Sequence, residues 1–147
     1  MKLLLHATAV AFGDAAVLLV GPPGAGKSDL ALRLIDRGAL LVADDQVDAE
    51  AVCGRLIANA PAAIAGLLEI RGVGLIALPF AVAVPVILVC DLGMAVERLP
   101  CPAHKRIGSV SIPLLAIAPF EASAPNKVER AVALGRRSAL WHSDGGG

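Results

Sequence analysis

The chain has 147 residues, 56% of them hydrophobic and 18% charged, and its 13 basic and 13 acidic residues leave no formal net charge. That length supports one domain with a substantial core, and the charge balance excludes recognition of nucleic acid or a membrane surface by bulk charge. Aromatic residues are scarce (three Phe, one Trp, no Tyr), which argues against base stacking along single strands, and no uninterrupted apolar run reaches the ~18 residues of a spanning helix.

The high apolar share points to a sheet buried on both faces, or to apolar surface covered by a partner. The opening Met1-Lys2-Leu3-Leu4-Leu5-His6 has the look of a leader, but Gly13-Asp14 interrupts the apolar stretch, so it reads as a strand. Residues 3–12 alternate loosely, and a second apolar run, Ala15–Val20, follows. A two-residue Gly13-Asp14 turn makes these a hairpin in which Phe12 faces Ala15, and extending that register sets His6 opposite Gly21.

Residues 21–28 read Gly21-Pro22-Pro23-Gly24-Ala25-Gly26-Lys27-Ser28 and fit the phosphate-binding pattern G-x-x-x-x-G-K-[ST]. The glycines let backbone N–H groups turn inward onto a polyphosphate. Lys27 can reach the β/γ-phosphates, and the Ser28 hydroxyl can ligand Mg²⁺. The strand before the loop and a helical pattern after it supply the context this motif needs.

That helix is expected over 28–37, with Leu30, Ala31, Leu34 and Ile35 on one face and an Asp29–Arg33 pair on the other, ending at Gly38. The apolar run Ala39–Ala43 then ends in Asp44-Asp45. A ten-residue helix runs ~15 Å and a four-residue strand returns ~13 Å, so a right-handed crossover brings both aspartates back to the edge that carries the phosphate loop. Strands are also expected over 46–51, 55–58, 75–78, 84–91 and 110–117, punctuated by prolines. A loop with a short helix is expected over 93–109, and a last helix from about Pro125 to Arg137. Residues 1–138 read as one domain and 139–147, ending in three glycines, as a tail. The three cysteines have no C-x-x-C spacing, which fits reduced thiols in the cytoplasm.

Two acidic sites compete to assist the phosphate loop. Asp44-Asp45 is placed by the crossover, and neighbouring carboxylates repel one another, which suits proton transfer. Asp91 ends the apolar run Val86–Cys90 in the manner of a metal-assisting acid, but it could equally open a turn with Leu92-Gly93. A third cluster, Glu69-Ile70-Arg71-Gly72-Val73-Gly74, offers Glu69 as a further metal ligand and Arg71 as a stabiliser of phosphoryl charge.

Taken together, His6, the loop Gly21–Ser28, the block Val42-Ala43-Asp44-Asp45-Gln46-Val47-Asp48 and the block Leu68-Glu69-Ile70-Arg71-Gly72-Val73-Gly74-Leu75 resemble the catalytic domain of bacterial HPr kinase/phosphorylase. The similarity runs from about residue 3 to about 130 and thins after 80. It implies an α/β, P-loop-containing domain with a mixed, β-rich sheet flanked by helices, as in HPr kinase and PEP carboxykinase. It also implies ATP and Mg²⁺ as cofactors, a serine of the phosphocarrier protein HPr as acceptor, and a reverse phosphorolysis that releases pyrophosphate.

Carried over by position, the resemblance implies Lys27 on the β/γ-phosphates, Ser28 and Glu69 on the metal, and Asp45 beside Asp44 as base. His6 would lie near the transferred phosphate and Arg98 would be a catalytic arginine. The family's hexamer and its role in controlling the sugar phosphotransferase system come with the same resemblance.

Two departures stand out. Pro22-Pro23 removes two backbone donors from the loop, and Ala118–Pro125 replaces a basic, glycine-containing stretch linked to the reverse reaction. The chain would be a short form without the family's N-terminal domain. A small-molecule kinase and a non-catalytic nucleotide-binding regulator remain the competing readings.

Overall fold

The structure, a computed structural model, describes residues 2–137; the expected tail at 139–147 lies outside the described residues. Strands β1 (Lys2–Leu5), β2 (Thr8–Phe12) and β3 (Ala15–Val20) open the chain, followed by helix α1 (Lys27–Asp36) and strand β4 (Leu40–Ala43). Then come β5 (Val47–Val52), β6 (Arg55–Asn59), a 3-10 turn (Ala62–Ile64), β7 (Leu67–Ile70) and β8 (Gly74–Ala77). The chain continues through β9 (Val84–Asp91), β10 (Ala103–Ile107) and β11 (Val110–Ala116) to helix α2 (Ala124–Arg137).

The hairpin forms in the expected register, Phe12↔Ala15 through Thr8↔Leu19. It stops there, because the chain bends at His6 and Ala7 and β1 leaves to pair with β5. His6 therefore does not face Gly21 across a ladder. The loose alternation of 3–12 concealed two strands, and β1 finds its partner 42 or more residues away, beyond the reach of a local register argument.

Strand β2 lies between β3 and β4, antiparallel to both, so β4 runs parallel to β3 with one strand intervening. The β3–α1–β4 crossover thus returns the chain to the same edge, as the length argument requires. Strand β9 is the shared member of the large sheet. Val84 and Pro85 pair with β6, the stretch from Val86 to Asp91 runs parallel to β3, and Val89–Asp91 also pair with β11. Strands β7 and β8 form a separate two-stranded hairpin.

Alternate residues of the central strands enter two different cores. Ala16, Leu18, Ala9 and Ala11 face one with Leu56, Ala58 and Ile112, on the side closed by the curled remainder of the sheet. Val17, Leu19 and Val10 face the other, where Leu30, Ala31 and Leu34 of α1 meet Val128, Ala131 and Val132 of α2. A sheet buried on both faces explains why apolar residues exceed half of the chain. The helices are also tied at the surface: Arg37 Nε donates to Glu129 at 2.9 Å and Arg37 Nη2 at 2.7 Å. This hydrogen bond lowers the Glu129 carboxyl from its ordinary value and raises Arg37. The Asp29–Arg33 pair forms at 3.1 Å.

Residues 93–102 hold no helix, and 103–107 form strand β10, antiparallel to β11. His104, Lys105 and Arg106 are all exposed on this edge strand, so it carries no apolar alternation to read. The local signal that could have found it is Gly108-Ser109, a two-residue turn between Ile107 and Val110 with Gly108 at φ +60°. No described helix is long and apolar enough to cross a membrane.

Cys53 and Cys101 are exposed free thiols, whereas Cys90 is buried in the helix-covered core, where burial pushes its thiol up to about 12. A thiolate-specific reagent at pH 8 should therefore modify two of the three cysteines in the native protein and the third only after denaturation. Fast reaction at all three would contradict this core.

Candidate active site at the carboxyl edge of the sheet

The phosphate loop is built as the sequence requires. Gly24 and Gly26 have φ +81° and +97°, a region that favours glycine, and Gly26 caps α1 without side-chain help. The first-turn N–H groups of α1 have no intrahelical partners, and they face an anion with the positive end of the helix dipole. Pro22 and Pro23 sit on the exposed outer turn, where Ala25 N–H donates to Pro22 C=O at 3.0 Å. The donors they lack are therefore not those at the helix mouth. Lys27 Nζ folds back onto the loop, donating to Gly21 C=O at 2.8 Å and Pro22 C=O at 3.1 Å.

The two adjacent aspartates separate into different tasks. Asp44 is buried, at 9% exposure, and its carboxylate accepts three hydrogen bonds. Ser28 Oγ donates to Oδ1 at 2.6 Å, Thr8 Oγ1 donates to Oδ1 at 3.1 Å, and Glu69 N–H donates to Oδ2 at 3.2 Å. Asp45 is exposed at the cavity. Its backbone stands at φ +70° while Gln46 N–H donates to Asp44 C=O at 2.8 Å, an i→i+2 bond that makes Asp45 the centre of the rarer, strained sense of γ-turn. A non-glycine residue held this way costs on the order of 1–3 kcal/mol, and such strain gathers at functional sites. Thr8 Oγ1 also accepts the Asp45 N–H at 3.3 Å, which pins the turn.

Thr8 was not foreseen as a site residue. The hint was available in the register, since Thr8 is the lone hydroxyl among the apolar residues of β2 and lies fully buried at its end. Its value depends on Asp44 being beside it, which only the β2–β4 pairing brings about.

The E-I-R-G-V-G block forms the far wall. Glu69 lies in β7 opposite Leu75, Arg71 and Gly72 are in the turn between β7 and β8, and Val73 N–H donates to Ile70 C=O at 2.9 Å. Together with Lys27, Ser28, Asp29 and Asp45, residues Glu69, Ile70 and Arg71 line a cavity of about 490 Å³. The oxygens available to a metal in the cavity are those of Ser28, Asp45 and Glu69. This hard set suits Mg²⁺ shared with phosphates, and among the described residues no cluster of three or more His, Cys, Asp or Glu forms an all-protein cage.

Three candidates fall elsewhere. His6, exposed at the bend after β1, and Arg98, exposed in the irregular segment after β9, do not line this cavity. Asp91 lies at the same sheet edge, beside Val20, but its Oδ1 accepts Gly93 N–H at 2.8 Å. That is the turn-forming use of the residue.

Replacing Thr8 by Val keeps the volume but strands the Asp45 N–H and removes one donor from a buried carboxylate, so stability to urea should fall by about 1–3 kcal/mol. Thr8→Ser should recover most of it. An unchanged unfolding midpoint for Thr8→Val would show that the hydroxyl does not hold this corner.

Comparison with known proteins gives a consistent picture. The family model described as "HPr Serine kinase C-terminal domain" matches residues 1–82. The HPr kinase/phosphorylase of Clostridium tetani is 45% identical over 75 residues, 51% of this chain and 25% of that protein. That of Clostridium beijerinckii is 44% identical over 72 residues, 49% of this chain and 24% of that protein. The match therefore spans about a quarter of the length of these curated relatives. Among solved structures, the HPr(Ser) kinase/phosphatase from Coxiella burnetii superposes with a TM-score of 0.79 at 27% identity, covering 92% of this chain and 91% of that one.

Proposed function

The chain belongs to the HPr serine kinase C-terminal domain family, and from that premise we propose that it transfers the γ-phosphoryl group of ATP to a serine hydroxyl of HPr. The observation that carries the proposal is the division of labour between the aspartates. Asp44 is fully occupied by Ser28, Thr8 and Glu69, which leaves Asp45 as the carboxylate presented to the cavity.

In this reading the loop N–H groups and Lys27 hold the phosphate chain, with Lys27 exchanging its loop carbonyls for phosphate oxygens. Asp45 accepts the proton of the acceptor serine as its Oγ attacks the γ-phosphorus, and the bond from that phosphorus to the β,γ-bridging oxygen breaks, so ADP leaves. Arg71 offsets charge on the transferring group. Ser28 and Glu69 would hold Mg²⁺, which supplies charge neutralisation across the phosphates. Asp44 serves as a positioning residue that aims Ser28 and braces the Asp45 turn.

The reading extends to one cytoplasmic catalytic unit over residues 1–138 and to a hexamer by resemblance. Exposed Val73, Leu75 and Leu99 are apolar surface that such an assembly would cover. His6 and Arg98 belong to the proposal only by resemblance. The reverse phosphorolysis is proposed for the same site, with Asp45 returning the proton to the serine oxygen.

Incubation of the purified protein with HPr and Mg-ATP, followed by mass spectrometry, should show one added phosphate on a serine. Asp45→Asn should lower that rate by at least a hundredfold while ATP still binds, and Asp91→Asn should leave most of it. Binding of ATP without any phosphoserine on HPr would favour a nucleotide-dependent regulator instead. Loss on Asp91→Asn with retention on Asp45→Asn would reassign the base.

A further inference from the structure

We infer that Phe120 is the platform for the nucleobase. The inference rests on the nucleotide reading of the cavity and extends it to a residue outside the motifs that carry the family resemblance. Phe120 is 71% exposed, an unfavourable state for a large apolar ring, and yet it is held in place from both sides. The Arg33 guanidinium donates to the carbonyls of Pro119 and Glu121, the residues immediately before and after it, and is itself braced by Asp29 at 3.1 Å.

This clamp lays the ring tip on the phosphate loop. A Cβ on Gly26 would lie 2.9 Å from Phe120 Cε1 and 3.0 Å from Cζ, so the ring touches the loop at a position that leaves no room for a side chain. The same cavity is lined by Asp45, Glu69 and Arg71, the groups suited to the γ-phosphate and the acceptor hydroxyl. A phosphate chain gripped at residues 24–28 with its reacting end at those groups leaves the ring beside Gly26 as the surface for its nucleoside end. Among the described residues, Phe120 is the one aromatic residue that lines this cavity, and it stands against the loop at Gly26. A fixed, exposed aromatic face beside a phosphate site suits a planar base, because stacking needs only a π-face and costs little ordering when the ring is already held.

The test compares ATP with inorganic tripolyphosphate, which offers the same phosphates without a base, by titration calorimetry of the full chain with Mg²⁺. Wild-type protein should bind ATP more tightly than tripolyphosphate. Phe120→Ala should weaken ATP by about tenfold and leave tripolyphosphate unchanged, and Phe120→Trp should restore ATP binding. Unchanged ATP affinity in Phe120→Ala overturns the inference and leaves the ring as surface for another macromolecule. Equal weakening of both ligands also overturns it, since the ring would then merely prop the loop. Failure of the wild type to bind either ligand defeats the nucleotide reading itself.

Discussion

A buried carboxylate must be met by donors or it destabilises the fold, and here that requirement organises the carboxyl edge of the sheet. Asp44 follows β4 inside the protein, and its three donors come from three different elements: Thr8 at the start of β2, Ser28 in the first turn of α1 and the Glu69 backbone within β7. Each bond is modest alone. Together they set the phosphate loop, the Asp45 turn and the β7–β8 hairpin at fixed mutual distances. The buried carboxylate beside the cavity is thus also the joint between helix, sheet and hairpin.

The sheet makes that joint possible by being apolar on both faces. The central strands send Ala9, Ala11, Ala16 and Leu18 to one core and Val10, Val17 and Leu19 to the other. The helix-covered side holds α1 firmly under its own N-terminus, so the loop amides keep their aim. The Arg37–Glu129 and Arg33–Asp29 pairs act at the rim of the same layer. Arg37–Glu129 joins two helices already brought together by apolar burial, Arg33–Asp29 lies within α1, and exposed pairs of this kind add little stability of their own.

Most of the site could be read from the chain because its signals are local. Gly24, Gly26, Lys27 and Ser28 encode a loop whose geometry depends on nearby backbone conformation, and the helix and strand after it are short enough for their lengths to locate Asp44 and Asp45. The E-I-R-G-V-G block encodes a tight turn in the same way. His6 was misplaced because a hairpin register was extended past Thr8, where β1 departs to pair with β5. Strand β10 was missed because an exposed edge strand carrying His104, Lys105 and Arg106 has no apolar period.

The amino-acid sequence by itself determined the phosphate loop, the element that follows it, the two-faced apolar character of the sheet and the proximity of an acidic pair, since all of these follow from short-range geometry and side-chain period. Tertiary structure alone decided which aspartate is buried and which is presented, because that depends on Thr8, Ser28 and Glu69 converging from positions 36, 16 and 25 residues away from Asp44. It likewise decided that Phe120, unremarkable in the chain, is held over Gly26 by an arginine of the first helix. Long-range convergence leaves no period in a sequence; it exists only where packing brings the partners together.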